Sequence, residues 1–233
     1  LRRQSRRLDK LHCKIAIDGP AGSGKTTVAK EVAKRLGIDY LDTGAMYRIV
    51  GLYLHDCGID PNATEEIERR LKNVSIEYKN GKYYLNGNIV GDEIRTAEAG
   101  MYASIYSANS AVRMYLTQLQ KEICANRSIV AEGRDIGTVV MPNAQVKIFL
   151  NASPEVRAKR RYEELKAKGT EVSYDELLKQ IIERDKKDTS REIAPLIKAK
   201  DSIEIDTSDL TIEEIVNKII KIANEKCKIV KEQ

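Results

Sequence analysis

The run Gly19-Pro20-Ala21-Gly22-Ser23-Gly24-Lys25-Thr26 constrains this chain more than any other stretch. It fits the phosphate-loop pattern G-x-x-x-x-G-K-[ST]. That pattern has a mechanism only between a strand and a helix, and the flanks supply both. Lys14-Ile15-Ala16-Ile17-Asp18 reads as a short buried strand, and Val28, Ala29, Val32, Ala33 and Leu36 recur at helical spacing. The glycines let backbone N–H groups curl around a phosphate chain, and the helix N-terminus adds partial positive charge. Lys25 can reach the outer phosphates, and the Thr26 hydroxyl can bind Mg²⁺. With Thr27, the run forms the candidate nucleotide-binding loop. A plain glycine-rich turn explains the glycines but not the Lys-Thr pair that follows them.

A length of 233 residues suits one α/β domain with an inserted subdomain. The net charge is +5, and much of it sits in Arg2, Arg3, Arg6, Arg7 and Lys10. The rest is nearly balanced, whereas a general nucleic-acid binder carries a strongly basic body. Nucleic acid is therefore not an expected partner. The first stretch has no clear amphipathic period, so 1–11 is expected to be a disordered basic arm. Cys13, Cys57, Cys124 and Cys227 form no C-x-x-C pair, and four separate reduced thiols are expected. No apolar run reaches the length of a membrane span or a signal-peptide core. The expectation is a cytoplasmic monomer with no membrane partner.

Strand and helix patterns alternate along the chain. Strands are expected at 38–41, 129–132, 146–150 and 202–206. Helices are expected at 45–55, 64–72, 97–107, 110–125, 154–168, 173–188 and 211–227. Between 74 and 90 the texture changes. Apolar alternation around Asn80-Gly81 signals a hairpin with a favoured turn pair. The expected fold is α/β, with a central parallel sheet flanked by helices and a small antiparallel sheet in an insertion over 61–95. The core then covers 12–60 and 96–230, with a lid near 157–169. Ligands of such sheets sit at the C-terminal strand ends. The phosphate loop, Asp42-Thr43-Gly44 and Glu132-Gly133-Arg134-Asp135 all fall there.

Phosphoryl transfer asks a protein mainly for positioning and dispersal of negative charge. If the acceptor is itself a phosphate, arginines should converge on the cleft. Arg48, Arg113, Arg134, Arg157, Arg160, Arg161, Arg184 and Arg191 are the candidates. Singly, each reads as a solvated helix face; as a set in particular loops, they favour a cationic cleft.

Three segments resemble the signatures of bacterial cytidylate (CMP/dCMP) kinases, of the nucleoside monophosphate kinase family of P-loop NTPases. They are Asp42-Thr43-Gly44-Ala45-Met46-Tyr47-Arg48, Glu132-Gly133-Arg134-Asp135-Ile136-Gly137-Thr138-Val139-Val140, and Glu183-Arg184-Asp185 with Asp188 and Arg191. The likeness runs over about 14–226, and the stretch after Gly133 is far more specific than the phosphate loop. The resemblance implies transfer of the γ-phosphoryl group of ATP to CMP or dCMP, with Mg²⁺. It implies that the insertion helps to bind the monophosphate and that Thr43 contacts that side. Arg48, Arg134 and Arg191 would hold the acceptor phosphate or the transferring group. Ser104, Arg113 and Asp135 would bond the cytosine, and Arg184 and Asp188 the ribose hydroxyls. Arg157 and Arg161 would lie on a lid over the donor, with Lys25, Arg134, Arg161 and Arg191 as the catalytic set. Glu132 stands where some members carry Asp.

The residues agree in part with that implication. Cytosine offers an amino donor that a carboxylate such as Asp135 can accept, and Arg113 can donate to its ring acceptors. An Arg–Asp structural pair is the bland reading of Asp135. Other readings stay open. One is a P-loop kinase of another small molecule, such as a uridylate, shikimate or sugar kinase. Another is a P-loop ATPase or GTPase switch, though no N-K-x-D segment is present. A third is a non-catalytic binding module, against which the intact Gly24-Lys25-Thr26 speaks.

Overall fold

Ile15 and Ile17 point to one side of their strand and Ala16 to the other, and all three are fully buried. A strand dry on both faces needs helices on both sides of its sheet. The computed structural model describes residues 10–230 and has that form. In chain order the strands and helices are β1 (Lys10–His12), β2 (Lys14–Asp18), α1 (Lys25–Leu36), β3 (Asp39–Asp42), α2 (Thr43–Asp56) and α3 (Thr64–Leu71). The hairpin region gives β4 (Ile76–Lys79), β5 (Lys82–Leu85) and β6 (Asn88–Ile89). Then come α4 (Ala97–Tyr106), α5 (Ser110–Ala125), β7 (Ile129–Gly133), β8 (Val146–Asn151), α6 (Pro154–Ala167) and α7 (Tyr174–Ser190). The chain closes with β9 (Ile203–Asp206), α8 (Ile212–Lys226) and β10 (Lys228–Val230).

Five strands form one parallel sheet in the order β3-β7-β2-β8-β9. Its two faces carry separate cores. Ile15, Ile17, Val130 and Ile148 pack with α1 and α8 through Val28, Val32, Ile215 and Ile219. Ala16, Leu41 and Ala131 pack on the other face with Met46, Ile49, Val112 and Leu116 of α2 and α5. Strands β4, β5 and β6 form the small antiparallel sheet. Ile67 and Leu71 of α3 and Ile76 and Tyr78 of β4 join the second core rather than building their own. Among the described residues, no helix is long and apolar enough to cross a membrane.

The structure adds features that periodicity does not show. α2 starts at Thr43, two residues early, because the Asp42 carboxylate accepts from Ala45 N–H at 2.9 Å and caps it. A π-type turn spans Ile136–Val140 and a 3-10 turn Asp92–Arg95. The expected basic arm lies outside the described residues over 1–9, whereas β1 pairs antiparallel with β10.

One expectation is corrected. Cys13 and Cys227 are not separate thiols: they form a disulfide with Cα atoms 5.3 Å apart, inside the range a disulfide spans. Their sequence separation of 214 concealed the pairing. α8 packs against α1 on the same face of the sheet, and its end returns beside the start of β2. Cys57 and Cys124 are free, as expected.

Candidate active site

The C-terminal ends of β2, β3 and β7 bring three loops together. The phosphate loop turns through Gly22 and Gly24, at φ 78° and 86°, conformations that suit glycine. Gly19 allows a close approach, since a Cβ there would stand 2.1 Å from the Leu150 carbonyl oxygen. Lys25 is buried at the start of α1, and its ammonium donates to the Pro20 carbonyl within the loop at 2.7 Å. Burial, with Arg134 beside it, pushes Lys25 down to about 7, against the pull of Glu132 and Asp18. Thr26 and Thr27 are exposed at the first turn of the helix.

Asp18 ends β2 and is 5% exposed. Its carboxylate accepts from the N–H groups of Ile136 and Gly137 at 2.8 and 2.7 Å. It therefore ties the base of the phosphate loop to the turn after Asp135. Burial raises it to about 6 despite these two bonds. Sequence reasoning did not single it out. The available signal was a carboxylate closing an apolar strand, which needs partners when buried.

The arginines of the cleft are held on carboxylates. Arg48 reaches Asp42 at 2.7 Å. Arg113 reaches Asp135 at 3.0 Å, with side chains 2% and 4% exposed. Asp188 is shared by Arg134 at 2.8 Å and Arg191 at 3.4 Å. Arg184 stands close to Arg134 and Asp188, and burial followed by Arg134 lowers its affinity for a proton. Arg48, Arg113 and Arg184 each keep a buried Nε with no hydrogen-bond partner, and Arg191 a buried terminal nitrogen. Buried donors of a folded protein are nearly always paired. Four such arginines around one cleft mark a place that an anionic or polar ligand completes.

Other expected residues fall in different positions. The Thr43 hydroxyl donates to the Glu132 carbonyl at 2.7 Å, and Gly133 permits that approach, since a Cβ would lie 2.6 Å from it. Ser104 is half-buried near the end of α4, where its carbonyl accepts from Ser107 and the Ser107 carbonyl from Arg113. Arg157 is buried beneath the phosphate loop. It donates to the carbonyls of Ala152 and Ala21 and grips Asp185 with both terminal nitrogens. Arg160 binds Thr207. Arg161 is exposed on α6 and pairs with Glu164 at 3.0 Å, so it does not join the cleft here.

The residues present fit a Mg²⁺ ion held in the manner of phosphate loops. Among the described residues, no three His, Cys, Asp or Glu side chains gather into a metal cage. Mg²⁺ needs none, since it keeps waters and binds one or two protein groups plus substrate phosphates. The Thr26 hydroxyl stands beside the Glu132 carboxylate, which Tyr40 also bonds at 2.7 Å. Burial, then Asp42, holds Glu132 above the usual carboxylate range. A cation there would relieve both effects.

Comparison with known proteins adds independent findings. The family described as cytidylate kinase matches residues 15–225. The cytidylate kinase of Fervidobacterium nodosum is 70% identical over 219 residues, which cover 94% of this chain and 100% of that protein. That of Thermosipho melanesiensis is 61% identical over 219 residues, with the same coverage. That of Thermotoga maritima is 47% identical over 213 residues, covering 91% of this chain and 97% of that protein. Among solved structures, a shikimate kinase from Bacteroides thetaiotaomicron aligns over 91% of this chain and 98% of its own, at 17% identity and a TM-score of 0.49.

Proposed function

This chain belongs to the cytidylate kinase family, and from that premise we propose how its cleft carries the γ-phosphoryl group of ATP to CMP or dCMP. The products are CDP or dCDP and ADP. The phosphate loop, residues 19–27, holds the donor, with Lys25 on its outer phosphates. Thr26 would hold Mg²⁺, with Glu132 supporting it. The ion would neutralise charge on the donor phosphates. The acceptor phosphate is already an anion at neutral pH, so no protein base is needed. Arg48, Arg134 and Arg191 draw it in, and Arg134 and Arg191 with Lys25 disperse charge as the group moves. Arg184 and Asp188 meet the ribose. The whole chain is read as soluble, working as a monomer.

One observation carries the choice of base. Asp135 and Arg113 form a buried pair at the C-terminal end of β7, with the Arg113 Nε unpartnered. A carboxylate accepts from the cytosine amino group and a guanidinium donates to the ring acceptors, while Ser104 approaches from α4. Uracil presents a carbonyl where cytosine has its amino group, at almost unchanged size. A site built to bond one polarity penalises the other because its own groups are left unpaired.

The test is a screen of CMP, dCMP, UMP and AMP with ATP and Mg²⁺. CMP is expected to exceed UMP in kcat/KM by at least about thirtyfold. Equal use of CMP and UMP would sink the cytosine assignment. Consumption of ATP independent of any added monophosphate would instead favour a hydrolytic switch.

A further inference from the structure

Tyr78 and Tyr83 face each other across β4 and β5, with ring centroids 5.1 Å apart. Both hydroxyls reach across to β3 of the other sheet. β3 is an outer strand: β7 pairs with one edge, and no strand pairs with the other among the described residues. A free edge presents backbone groups at every second residue. The Tyr78 hydroxyl donates to the Tyr40 carbonyl. The Tyr83 hydroxyl donates to the Asp42 carbonyl at 2.8 Å and accepts from the Asp42 N–H at 3.0 Å. Two side chains thus satisfy β3 at residues i and i+2, where a sixth strand would otherwise lie.

We propose that Tyr83 is a positioning residue for the acceptor phosphate, acting through Asp42. The proposal rests on the reading of Thr43 and Arg48 as acceptor-side residues. Asp42 is the junction of β3 and α2. One of its carboxylate oxygens caps α2 and the other holds Arg48. The next residue, Thr43, is fastened to β7 through the Glu132 carbonyl. Rotation of the peptide units around Asp42 would swing Arg48 and Thr43 together. A hydroxyl that both donates to and accepts from one residue blocks that rotation at its N–H and its C=O. The insertion therefore does more than cover a sheet edge. It sets the geometry of the phosphate-facing turn through one oxygen atom.

Tyr83→Phe keeps the ring and its contact with Tyr78 but removes both bonds to Asp42. KM for CMP is expected to rise about fivefold or more, as for two lost hydrogen bonds at a half-buried site. KM for ATP should stay within about twofold, because the phosphate loop is not touched. The Asp42 amide, read by hydrogen exchange without substrate, should exchange about tenfold faster or more. Tyr78→Phe also frees a bond to β3, but at Tyr40, and should leave KM for CMP within about twofold. Tyr84→Phe, on the opposite face of β5, should change none of these readouts. An unaltered exchange rate at Asp42 in Tyr83→Phe would overturn the clamp. Equal rises in KM for CMP and ATP, or the same KM effect in Tyr78→Phe, would show a merely structural role and overturn the positioning. Failure of the unmodified protein to use CMP would overturn the functional reading instead, and the exchange measurement would still stand.

Discussion

Lys25 joins the architecture of the phosphate loop to its electrostatics. Its ammonium is buried and turned onto its own loop, and burial with Arg134 brings it down to about 7. A bound phosphate chain adds negative charge at the same point and pulls it back up. The sign follows directly. At about pH 8 the free protein holds Lys25 mostly neutral, while the complex holds it charged. ATP binding then takes up close to one proton at about pH 8 and almost none from Lys25 at about pH 6. Titration calorimetry in two buffers of different ionisation heat reads this uptake. Identical heats at about pH 8 would place Lys25 in its ordinary range. In the absence of ligand the same depressed Lys25 makes stability rise with pH between about 7 and 10.5, because the unfolded state binds the extra proton there.

At the scale of elements, α6 and α7 are joined to the phosphate loop by one buried arginine. Arg157 binds the Ala21 carbonyl of the phosphate loop and Asp185 of α7 together. The Arg157 side chain is 3% exposed, and breaking such a pair is strongly destabilising, about 3–5 kcal/mol. The start of α6 is therefore fixed. Farther out the helices are loosely committed, since α7 has no fully buried residue and Arg161 bonds only to Glu164 of its own helix. Closure over ATP and CMP analogues should be confined to this outer part. Hydrogen exchange should slow at residues 161–176 in the doubly liganded protein and stay unchanged at 154–158. Slowing spread evenly over both stretches would mean that Arg157 moves with the outer part of the helices.

At the scale of the whole molecule, the Cys13–Cys227 disulfide closes a loop of nearly the full described chain. Cross-linking so long a loop removes entropy from the unfolded state, by about 5 kcal/mol on the chain-entropy relation. For a domain of this size that corresponds to about 10 °C or more in Tm. The double variant Cys13→Ser, Cys227→Ser should lose this increment and become indifferent to reductant. The unmodified protein should show the same fall on full reduction. Equal Tm values with and without reductant in the unmodified protein would show that the bridge adds nothing.

The local patterns of the sequence determined most of the architecture. Alternating strand and helix signals, the Asn80-Gly81 turn and the strand–loop–helix around Lys25 are each written within a few residues, because backbone periodicity and turn chemistry are local. The segments that line the cleft were legible as short motifs, and the fold brings two of their proposed base-facing residues, Asp135 and Arg113, to 3.0 Å of each other, a contact that spacing alone did not give. Pairings between distant residues were decided only by the tertiary structure. Arg134 meets Asp188 and Tyr83 meets Asp42 because packing sets those elements side by side. Arg157, expected on the donor side, is buried against the phosphate loop by bonds to Ala21, Ala152 and Asp185 that spacing could not show. The cysteines looked solitary until α8, packed beside α1, brought Cys227 to Cys13 at the start of β2. Spacing in a sequence carries periodicity, whereas contact between its ends depends on how the packed layers close.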